Sequence, residues 1–333
     1  MPKGMFIMGD RIKKKGIPGS TLKIFAIIAM IIDHTAWCIV DPVIQSKGAD
    51  VSDYLNPLRD ISISPVLCVL SPIMHFIGRM TFPIMLFILI EGFKYTRNVK
   101  KYIRNMAIFA LVSEIPYNLA FDNKLFVAGK YIPYLEGQNV FITLTFCLIT
   151  LVLIKKIMTA EHIPAFLKIL GSISPILFSF LFTSFAFKRY YSGFIGIPVT
   201  FQLICICSAI IVLAYLFVCR KLSHEQLERI NVCILTVTFM AFITFLFDCD
   251  YRVFGIIAVA LMYLFRENKT KSFCSGCAML TAVSYFEIGA FMAAPIIRSY
   301  NGKRGLSLKY LFYIIYPLHL IVLWLLSLVL KIR

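Results

Sequence analysis

Residues 21–40 read TLKIFAIIAMIIDHTAWCIV, an apolar run that is interrupted by the neighbouring polar pair Asp33 and His34. About 20 predominantly apolar residues are enough for a helix to cross the hydrocarbon core of a bilayer. The run is too long for the apolar part of a signal peptide, and it contains no small-residue cleavage site. It therefore predicts a retained first membrane span, preceded by a basic cytoplasmic segment over residues 1–20.

The composition of the whole chain indicates a membrane protein. Of its 333 residues, 59% are hydrophobic and 15% are charged, whereas a soluble domain has about 45–50% and about 25%. The formal net charge is +17, but cytoplasmic loops of membrane proteins collect Lys and Arg, so the charge does not call for a nucleic-acid partner. Most of the ten cysteines lie in apolar runs, as free thiols do. The pair Cys274 and Cys277 has no second pair or nearby His, so no metal centre is predicted.

Ten apolar runs are candidates for membrane spans. They are 21–41, 79–93, 102–121, 139–156, 164–187, 193–219, 230–247, 252–265, 272–297 and 308–330. The adjoining run PVLCVLSPIMHFIG (65–78) leaves open an earlier start for the second span. The sequence predicts an all-α polytopic membrane helix bundle of about ten transmembrane helices, with a single transmembrane domain over residues 21–333.

The distribution of basic residues predicts the orientation. Lys and Arg occupy the N-terminal segment, the even-numbered loops and the C-terminal tail, and the loop KYTRNVKKYIRN (94–105) is the richest in them. Because such loops face the cytoplasm, both termini are predicted to be cytoplasmic. The ninth loop, RSYNGKRGLSLK (298–309), breaks this rule by placing four basic residues outside. Either the spans are miscounted, or these cations are held there for function.

Ionisable groups inside spans are costly, by about 2.5–3.5 kcal/mol each on insertion scales, and they commonly mark functional sites. The ten-span count puts a set of polar residues at one depth, in the outer half of the membrane. They are Asp33, His34, Arg79, Glu114, Asn139, Asp250, Tyr251, Asn301, Arg304 and His319. A bundle could surround a pocket there, although spacing along the chain does not establish that these residues meet in the membrane plane.

Structural alternatives exist for these residues. Asp33 could reach the interface from a helix end, and His34 could be satisfied by a neighbouring carbonyl group. Arg79 could pair with Glu114 only to hold two helices together. His75, next to the start of a predicted span, is expected to lie at the interface.

Histidine is the side chain best suited to take a proton from an amine or hydroxyl near neutral pH. Successive helix residues point about 100° apart, so Asp33 is not expected to orient His34, and its partner must lie on another helix. The sequence has no phosphate-binding loop, no His-Glu-x-x-His motif and no Ser or Cys nucleophile with an obvious base. This pattern favours either direct transfer to an acceptor or no chemistry.

Several stretches together resemble the TraX family of membrane proteins. They are TLKIFAIIAMIIDH (21–34), IGRMTFPIMLFILIEGFKYTRNVKKYIRN (77–105), SEIPYNLAF (113–121), QNVFITL (138–144), DYRVFGIIAVALMYLFRE (250–267) and YNGKRGLSLKYLFYIIYPLHL (300–320). The combination is specific, whereas residues 145–247 match only as apolar spans. TraX proteins are associated with N-terminal acetylation of pilin, and they distantly resemble transmembrane acyltransferases. The resemblance implies acyl transfer from acetyl-CoA to an amine or hydroxyl of a peptide, glycan or lipid. It also implies a location in a bacterial inner membrane, in contact with membrane lipid.

The resemblance also implies roles for individual residues. His34 is the expected base, His319 is the second choice, and Asp33 and Arg79 complete the catalytic group. Arg79, Arg304 or Asn139 could hold the thioester oxygen, although Arg304 at a predicted outer face is expected to meet the acceptor instead. The CoA phosphates are expected to contact Lys94, Arg97, Lys100 and Lys101. The remaining pocket residues are Glu114, Asn139, Asp250, Tyr251 and Asn301.

A non-enzymatic interpretation stays open. The same ionisable groups could form an ion-pair relay or a structural network in a transporter or an assembly component. Transporters also place such groups at depth, often on broken helices. The prolines in Phe82-Pro83 and Tyr316-Pro317 would suit breaks of that kind.

Overall fold

A computed structural model describes residues 16–121, 126–127, 130–131, 137–190, 200–282, 284–306 and 309–332. Most of the predicted basic segment, residues 1–15, lies outside this part of the chain. The α-helices are α1 Gly19–Thr35, α2 Asp41–Ser46, α3 Pro65–Gly78, α4 Thr81–Tyr95, α5 Val99–Phe121, α6 Val140–Thr159, α7 Ala165–Tyr190, α8 Phe201–Cys219, α9 His224–Leu246, α10 Arg252–Leu264, α11 Lys269–Leu280, α12 Ala294–Arg298 and α13 Lys309–Val329. A π-helix covers Ala36–Val40, and 3-10 helices cover Asn56–Asp60 and Tyr285–Ala293.

The predicted helical membrane bundle is confirmed. Within the described residues, six helical segments are long and apolar enough to cross a membrane. The two strands that occur there, β1 Phe126–Val127 and β2 Lys130–Tyr131, are two residues each and pair antiparallel. The predicted count of about ten spans is not confirmed.

The second span starts earlier than residue 79, as the apolar run 65–78 had left open. Helices α3 and α4 follow one another over Pro65–Tyr95 and run antiparallel to α1. The Thr81 hydroxyl donates to the Ala26 carbonyl at 3.3 Å, and the Ser71 hydroxyl lies 2.6 Å from an Asp41 carboxylate oxygen. This long contact sets the polar residues of α1 opposite those of α3.

The predicted ninth span, 272–297, is a hairpin of two elements and not a single helix. Helix α11 starts beside Tyr300, where the Lys269 ammonium group donates to the Tyr300 carbonyl. The chain turns after Leu280, and Tyr285 then donates to Asp53, a residue of the loop between α2 and α3. It returns through 285–298 to the start of α1, where Ile17 N donates to the Ser299 carbonyl at 2.9 Å. The alternative that the spans were miscounted is therefore correct.

The hairpin brings the ninth loop to the same end of the bundle as the N-terminus of α1. Gly19 N donates to the Lys303 carbonyl at 2.8 Å, and Ser20 N donates to the Arg304 carbonyl at 3.0 Å. These carbonyls satisfy two of the backbone N–H groups that have no partner within a helix's first turn. We call the end formed by residues 16–19, 96–98 and 299–306 the basic end. The end formed by residues 47–64 and 247–251 is called the acidic end.

Helix α13 runs parallel to α1, which separates its C-terminus from the basic end. The Ser20 hydroxyl accepts from Leu306 N at 3.2 Å, and further along both helices His34 meets His319. Val329 therefore lies at the opposite end of the bundle from Gly19. The prediction that both chain termini lie on one side of the membrane is not confirmed.

The packed centre of the bundle lies between α1, α4, α6, α10 and α11. Its fully buried side chains include Leu86, Leu148, Ile256 and Met262. Helix α8, by contrast, packs on α7 and leaves many of its apolar side chains exposed, as expected for a lipid-facing span.

Candidate functional site

A cavity of about 380 Å³ lies between α1, α4, α5 and α13. Five of the predicted site residues line it, namely Asp33, His34, Arg79, Asp250 and Tyr251. It adjoins a wider cavity of about 810 Å³, and both are lined by Arg79, Asp250 and Tyr251. The wider cavity is bordered by loop residues of the acidic end, so the two together form a cleft that reaches inward from that end.

Arg79 is the centre of a buried ion cluster. Its Nη2 lies 3.0 Å from each carboxylate oxygen of Asp33, and its Nη1 lies 3.1 Å from Glu287 Oε1. Nη1 also donates to the Tyr54 hydroxyl at 3.3 Å, and Nε donates to the His75 carbonyl at 3.2 Å. Each nitrogen of the guanidinium group already has a protein acceptor. Arg79 is therefore placed to order the cluster, and it has no unengaged nitrogen to offer a thioester oxygen.

His75 joins two carboxylates across the interface of α1 and α3. Its Nδ1 lies 2.8 Å from Asp33 Oδ1, and its Nε2 lies 2.9 Å from Asp41 Oδ2. Carboxylate oxygens accept hydrogen bonds, so an imidazolium that donates from both ring nitrogens satisfies both contacts. His75 is 1% exposed, and the prediction that it lies at the interface is wrong. The reason is that the span begins at Pro65, which places His75 well inside it.

The π-helix within the first span turns the Asp41 carboxylate toward the same face as the Asp33 carboxylate. In an α-helix, the side chains of two residues eight positions apart point about 80° away from each other around the helix axis. The π-helix Ala36–Val40 separates Asp33 from Asp41 and winds less per residue. Both carboxylates can therefore face His75. The partner of Asp33, which helix geometry placed on another helix, lies on α3.

Gly78 allows α3 to approach α1 at the ion cluster. A Cβ atom added to Gly78 would lie 2.3 Å from the Cβ atom of Asp33. Real Cβ atoms do not come that close, so a side chain here would force the two helices apart. Gly78 directly precedes Arg79 in sequence. The close approach of the two helices therefore brings the Arg79 side chain within reach of Asp33.

His34 points to α13, away from the ion cluster. Its Nδ1 lies 2.7 Å from His319 Nε2, and the Phe121 ring meets it edge-on with centroids 5.1 Å apart. The Tyr316 ring also packs edge-on at 6.4 Å. His34 lines the cavity, so the structure brings both predicted histidines together and gives one of them access to the cavity.

Glu114 and Asn139 support the cavity wall from behind. Asn139 caps α6 by accepting from Phe141 N at 2.9 Å, and its amide nitrogen donates to Glu114 and to the Ala110 carbonyl. Asn118 donates to the other oxygen of Glu114 at 3.1 Å. The alternative that Arg79 pairs with Glu114 is wrong, because Arg79 pairs with Asp33 and Glu287. Asn139 is committed to this cap and does not line the smaller cavity.

A strained turn before α10 presents Asp250 and Tyr251 to the cavity. Asp248, Tyr251 and Arg252 have φ values of 46°, 58° and 39°, a region that residues other than glycine rarely adopt. The Tyr251 ring stacks on Phe82 with centroids 3.8 Å apart and an interplanar angle of 6°. Such strain persists where the surrounding structure enforces it, commonly at functional sites.

Two predicted pocket residues lie far from this cavity. Asn301 donates to the Gly16 carbonyl at 2.9 Å, and Arg304 belongs to the same loop at the basic end. Their predicted outer depth is wrong, because the hairpin at 269–298 adds a crossing before this loop. The predicted CoA contacts are exposed at or beside the basic end. They are Lys94, Arg97, Lys100 and Lys101.

Sequence reasoning missed five residues of the ion cluster and its surroundings. They are Asp41, Tyr54, Ser71, His75 and Glu287. A usable signal was present on α3 and the residue that follows it, where Ser71, His75 and Arg79 recur every four residues, so that each is the neighbour of the next along the helix. Another was Glu287, the single acid of the apolar run 272–297. Among the described residues, no three His, Cys, Asp or Glu side chains are grouped so as to hold a metal ion.

The fold and the site define a polytopic helical membrane protein with a polar cavity enclosed by its spans. The chain belongs to the TraX family, since the family model, described as TraX protein, matches residues 18–221 and 205–327. The probable fimbrial assembly protein FimC, serogroup H1, of Dichelobacter nodosus is 24% identical over 303 residues, which cover 90% of this chain and 91% of that protein. No solved structure matches the chain. The resemblance predicted from the sequence is confirmed.

Proposed function

We propose that the protein is an integral-membrane acyltransferase of the bacterial inner membrane that moves an acetyl group from acetyl-CoA to an amine. Membership of the TraX family supports this, because that family is linked to pilin acetylation. The name of the similar protein, a probable fimbrial assembly protein, agrees with a pilin-like peptide as acceptor. The observation that carries the proposal is His34, an imidazole on the cavity wall.

His34 is available as a base because only one side of its ring is engaged by the protein. His319 occupies Nδ1, and no described residue hydrogen-bonds Nε2. An imidazole nitrogen that carries a lone pair can accept a proton, and a positioned base contributes about 10²–10⁴-fold to such a reaction. His34 Nε2 is therefore the atom assigned to accept the proton of the attacking amine.

The charge of the cleft favours an amine over an anionic acceptor. Acidic side chains outnumber basic ones on the walls of the two cavities. The acids are Asp33, Asp41, Asp53, Asp248, Asp250 and Glu287, and the basic residues are His34, His75, Arg79 and Arg252. A cleft lined mainly by one sign of charge concentrates ligands of the opposite sign. A protonated amine would be drawn in from the acidic end and would give up its first proton to water at the mouth of the cleft before it attacks.

The proposed reaction needs one base and no covalent enzyme intermediate. The amine nitrogen attacks the thioester carbonyl carbon and forms the N–C bond, while its proton passes to His34 Nε2. The C–S bond then breaks, and the CoA thiolate leaves with the proton that His34 returns. The products are an acetylated amine and CoA, so atoms and charge balance.

Donor and acceptor would approach from opposite ends in this proposal. The exposed cations that suit CoA phosphates lie at the basic end, and include Lys94 and Arg97. From Gly19 to His34, α1 rises about 22 Å. The phosphates would then stay at the basic end, on the cytoplasmic side, while the long pantetheine arm carries the thioester inward to His34.

The test is turnover by the purified protein in lipid nanodiscs. With acetyl-CoA and a short peptide that has a free N-terminal amine, wild type should release CoA thiol and yield acetylated peptide, as seen by mass spectrometry. His34→Gln should lower the rate about 10²-fold or more. His224→Gln is the matched control, because His224 is exposed at the start of α9. Equal rates for His34→Gln and wild type would remove His34 as the base.

A second candidate function is a non-enzymatic assembly or transport component. The ion cluster of Asp33, His75, Arg79 and Glu287 favours it, because such a network also suits a purely structural or relay role. The same experiment separates the two functions. If folded wild type neither binds acetyl-CoA nor releases CoA with any amine, hydroxyl, glycan or lipid acceptor offered, the non-enzymatic function stands instead.

A further inference from the structure

The two histidines of α1 and α13 form an in-plane hydrogen bond. His34 Nδ1 and His319 Nε2 are 2.7 Å apart, the rings are inclined by 16°, and their centroids lie 5.0 Å apart. Ring N–H bonds and lone pairs of imidazole lie in the plane of the ring. The near-coplanar arrangement with a short N–N distance therefore requires that one nitrogen donates and the other accepts.

The direction of this bond follows from the other nitrogen of His319. Its Nδ1 lies 2.8 Å from the carbonyl oxygen of Ile315, one turn earlier on α13. A carbonyl oxygen only accepts, so His319 Nδ1 carries hydrogen. In a neutral imidazole the other nitrogen is then the acceptor, and His34 Nδ1 must donate to it. His34 is thereby held as the Nδ1–H tautomer, with the lone pair on Nε2.

We propose that His319 is a positioning residue that fixes the tautomer of His34, and that it is not itself the base. The inference rests on the acyl transfer proposed above, which needs an unprotonated Nε2 in the cavity. The opposite tautomer would present an N–H there and could not accept a proton. The edge-on Phe121 and Tyr316 rings hold the plane of His34, while His319 decides which nitrogen carries the hydrogen.

The series of hydrogen bonds from the Ile315 carbonyl through His319 to His34 stays intact during the proposed reaction. His34 Nε2 takes the amine proton, and the imidazolium that forms still donates from Nδ1 to His319 Nε2. When the thiolate leaves, Nε2 returns the proton, and the starting tautomer is restored without rearrangement. In serine proteases, loss of the group that fixes the tautomer of the base lowers turnover about 10⁴-fold.

Two amides distinguish positioning from packing at residue 319. In His319→Gln, the side-chain oxygen can reach the place of Nε2 and accept from His34 Nδ1. In His319→Asn, the shorter side chain can reach only the place of Nδ1, and in His319→Leu no acceptor exists. Under the proposal, His319→Gln keeps kcat within about tenfold of wild type, whereas the other two lose about 10²–10⁴-fold. KM for acetyl-CoA should change little in all three.

An independent readout comes from nitrogen NMR of histidine-labelled protein in lipid. The chain has five histidines, so the His34 signals can be assigned by comparison with His34→Gln. Wild type should show His34 protonated at Nδ1 and unprotonated at Nε2, and His319→Leu should lose this preference. The spectra test the tautomer even if no acceptor turns over, which separates this inference from the proposed function.

Three results would overturn the inference. The first is a folded His319→Gln protein as inactive as His319→Leu, which would make His319 itself the base or a proton carrier. The second is a His319→Leu protein with wild-type kcat. The third is a spectrum in which His34 carries its proton at Nε2. Circular dichroism and size-exclusion profiles like those of wild type establish that each variant is folded.

Discussion

The ion pair between Asp33 and Arg79 predicts a large and non-additive contribution to stability. Their side chains are 13% and 10% exposed, and removing one member of a buried pair costs about 3–5 kcal/mol because the other charge is left uncompensated. Asp33→Leu leaves Arg79 with Glu287, so we expect the lower end, about 3 kcal/mol. Arg79→Leu leaves Glu287 without a cation and Asp33 with only His75, so we expect about 5 kcal/mol.

The double variant Asp33→Leu/Arg79→Leu should be destabilised by less than the sum of the single changes. The expected coupling is about 1–3 kcal/mol, measured as the free energy of unfolding in mixed micelles with increasing denaturing detergent. The exposed helix pair Glu225 and Arg229 is the control, because Glu225 is 71% exposed. Glu225→Gln should cost about 0.5 kcal/mol or less. Additivity of the two buried changes within about 0.5 kcal/mol would refute the idea that Arg79 compensates Asp33.

Three further predictions concern the close helix contact and the topology. Gly78→Ala should destabilise the protein by about 1–3 kcal/mol, because the added methyl group overpacks against Asp33. The change should lower the thermal unfolding midpoint, and an unchanged midpoint would contradict the close approach of α1 and α3. Asn301→Cys should react with a membrane-impermeant thiol reagent from the same side as Arg97→Cys, and Asp50→Cys should react from the other side. If Asn301→Cys reacts from the same side as Asp50→Cys, the ten-span topology is restored. A reporter that is active only outside the cytoplasm should be active when fused after Arg333, because α13 runs parallel to α1, and inactive when fused after Lys221.

The membrane class of the protein was readable from the sequence because it depends on summed properties. Apolar run length and the distribution of Lys and Arg are averages over many residues, and single errors hardly affect them. The quoted motifs identified the family for the same reason, since six stretches had to agree in order. The cavity residues Asp33, His34, Arg79, Asp250 and Tyr251 were singled out by their depth and by the family motifs that contain them. Their depth was predicted correctly because α1, α4 and the start of α10 were counted correctly.

Contacts between segments that are far apart in the sequence were not predicted. An apolar run of 26 residues, 272–297, has the hydropathy of one span, and nothing in that average reveals that the chain reverses after Leu280. This single error moved Asn301 and Arg304 to the wrong end of the bundle. His75 failed for a related reason, since the span boundary was placed after it and its two carboxylate partners lie 42 and 34 positions away.

The corrected topology changes what the neighbouring pair Asp33 and His34 means. Each residue faces a different helix: Asp33 is bound into a cluster of opposite charges on α3, and His34 into a neutral chain of hydrogen bonds on α13. A base must change its protonation state readily, and a residue fixed between fully paired charges cannot do so without breaking those pairs. The two adjacent residues therefore divide two requirements between them. Asp33 holds Arg79 and the helix contact in place, and under the proposed function His34 Nε2 is the atom that exchanges a proton with the bound amine.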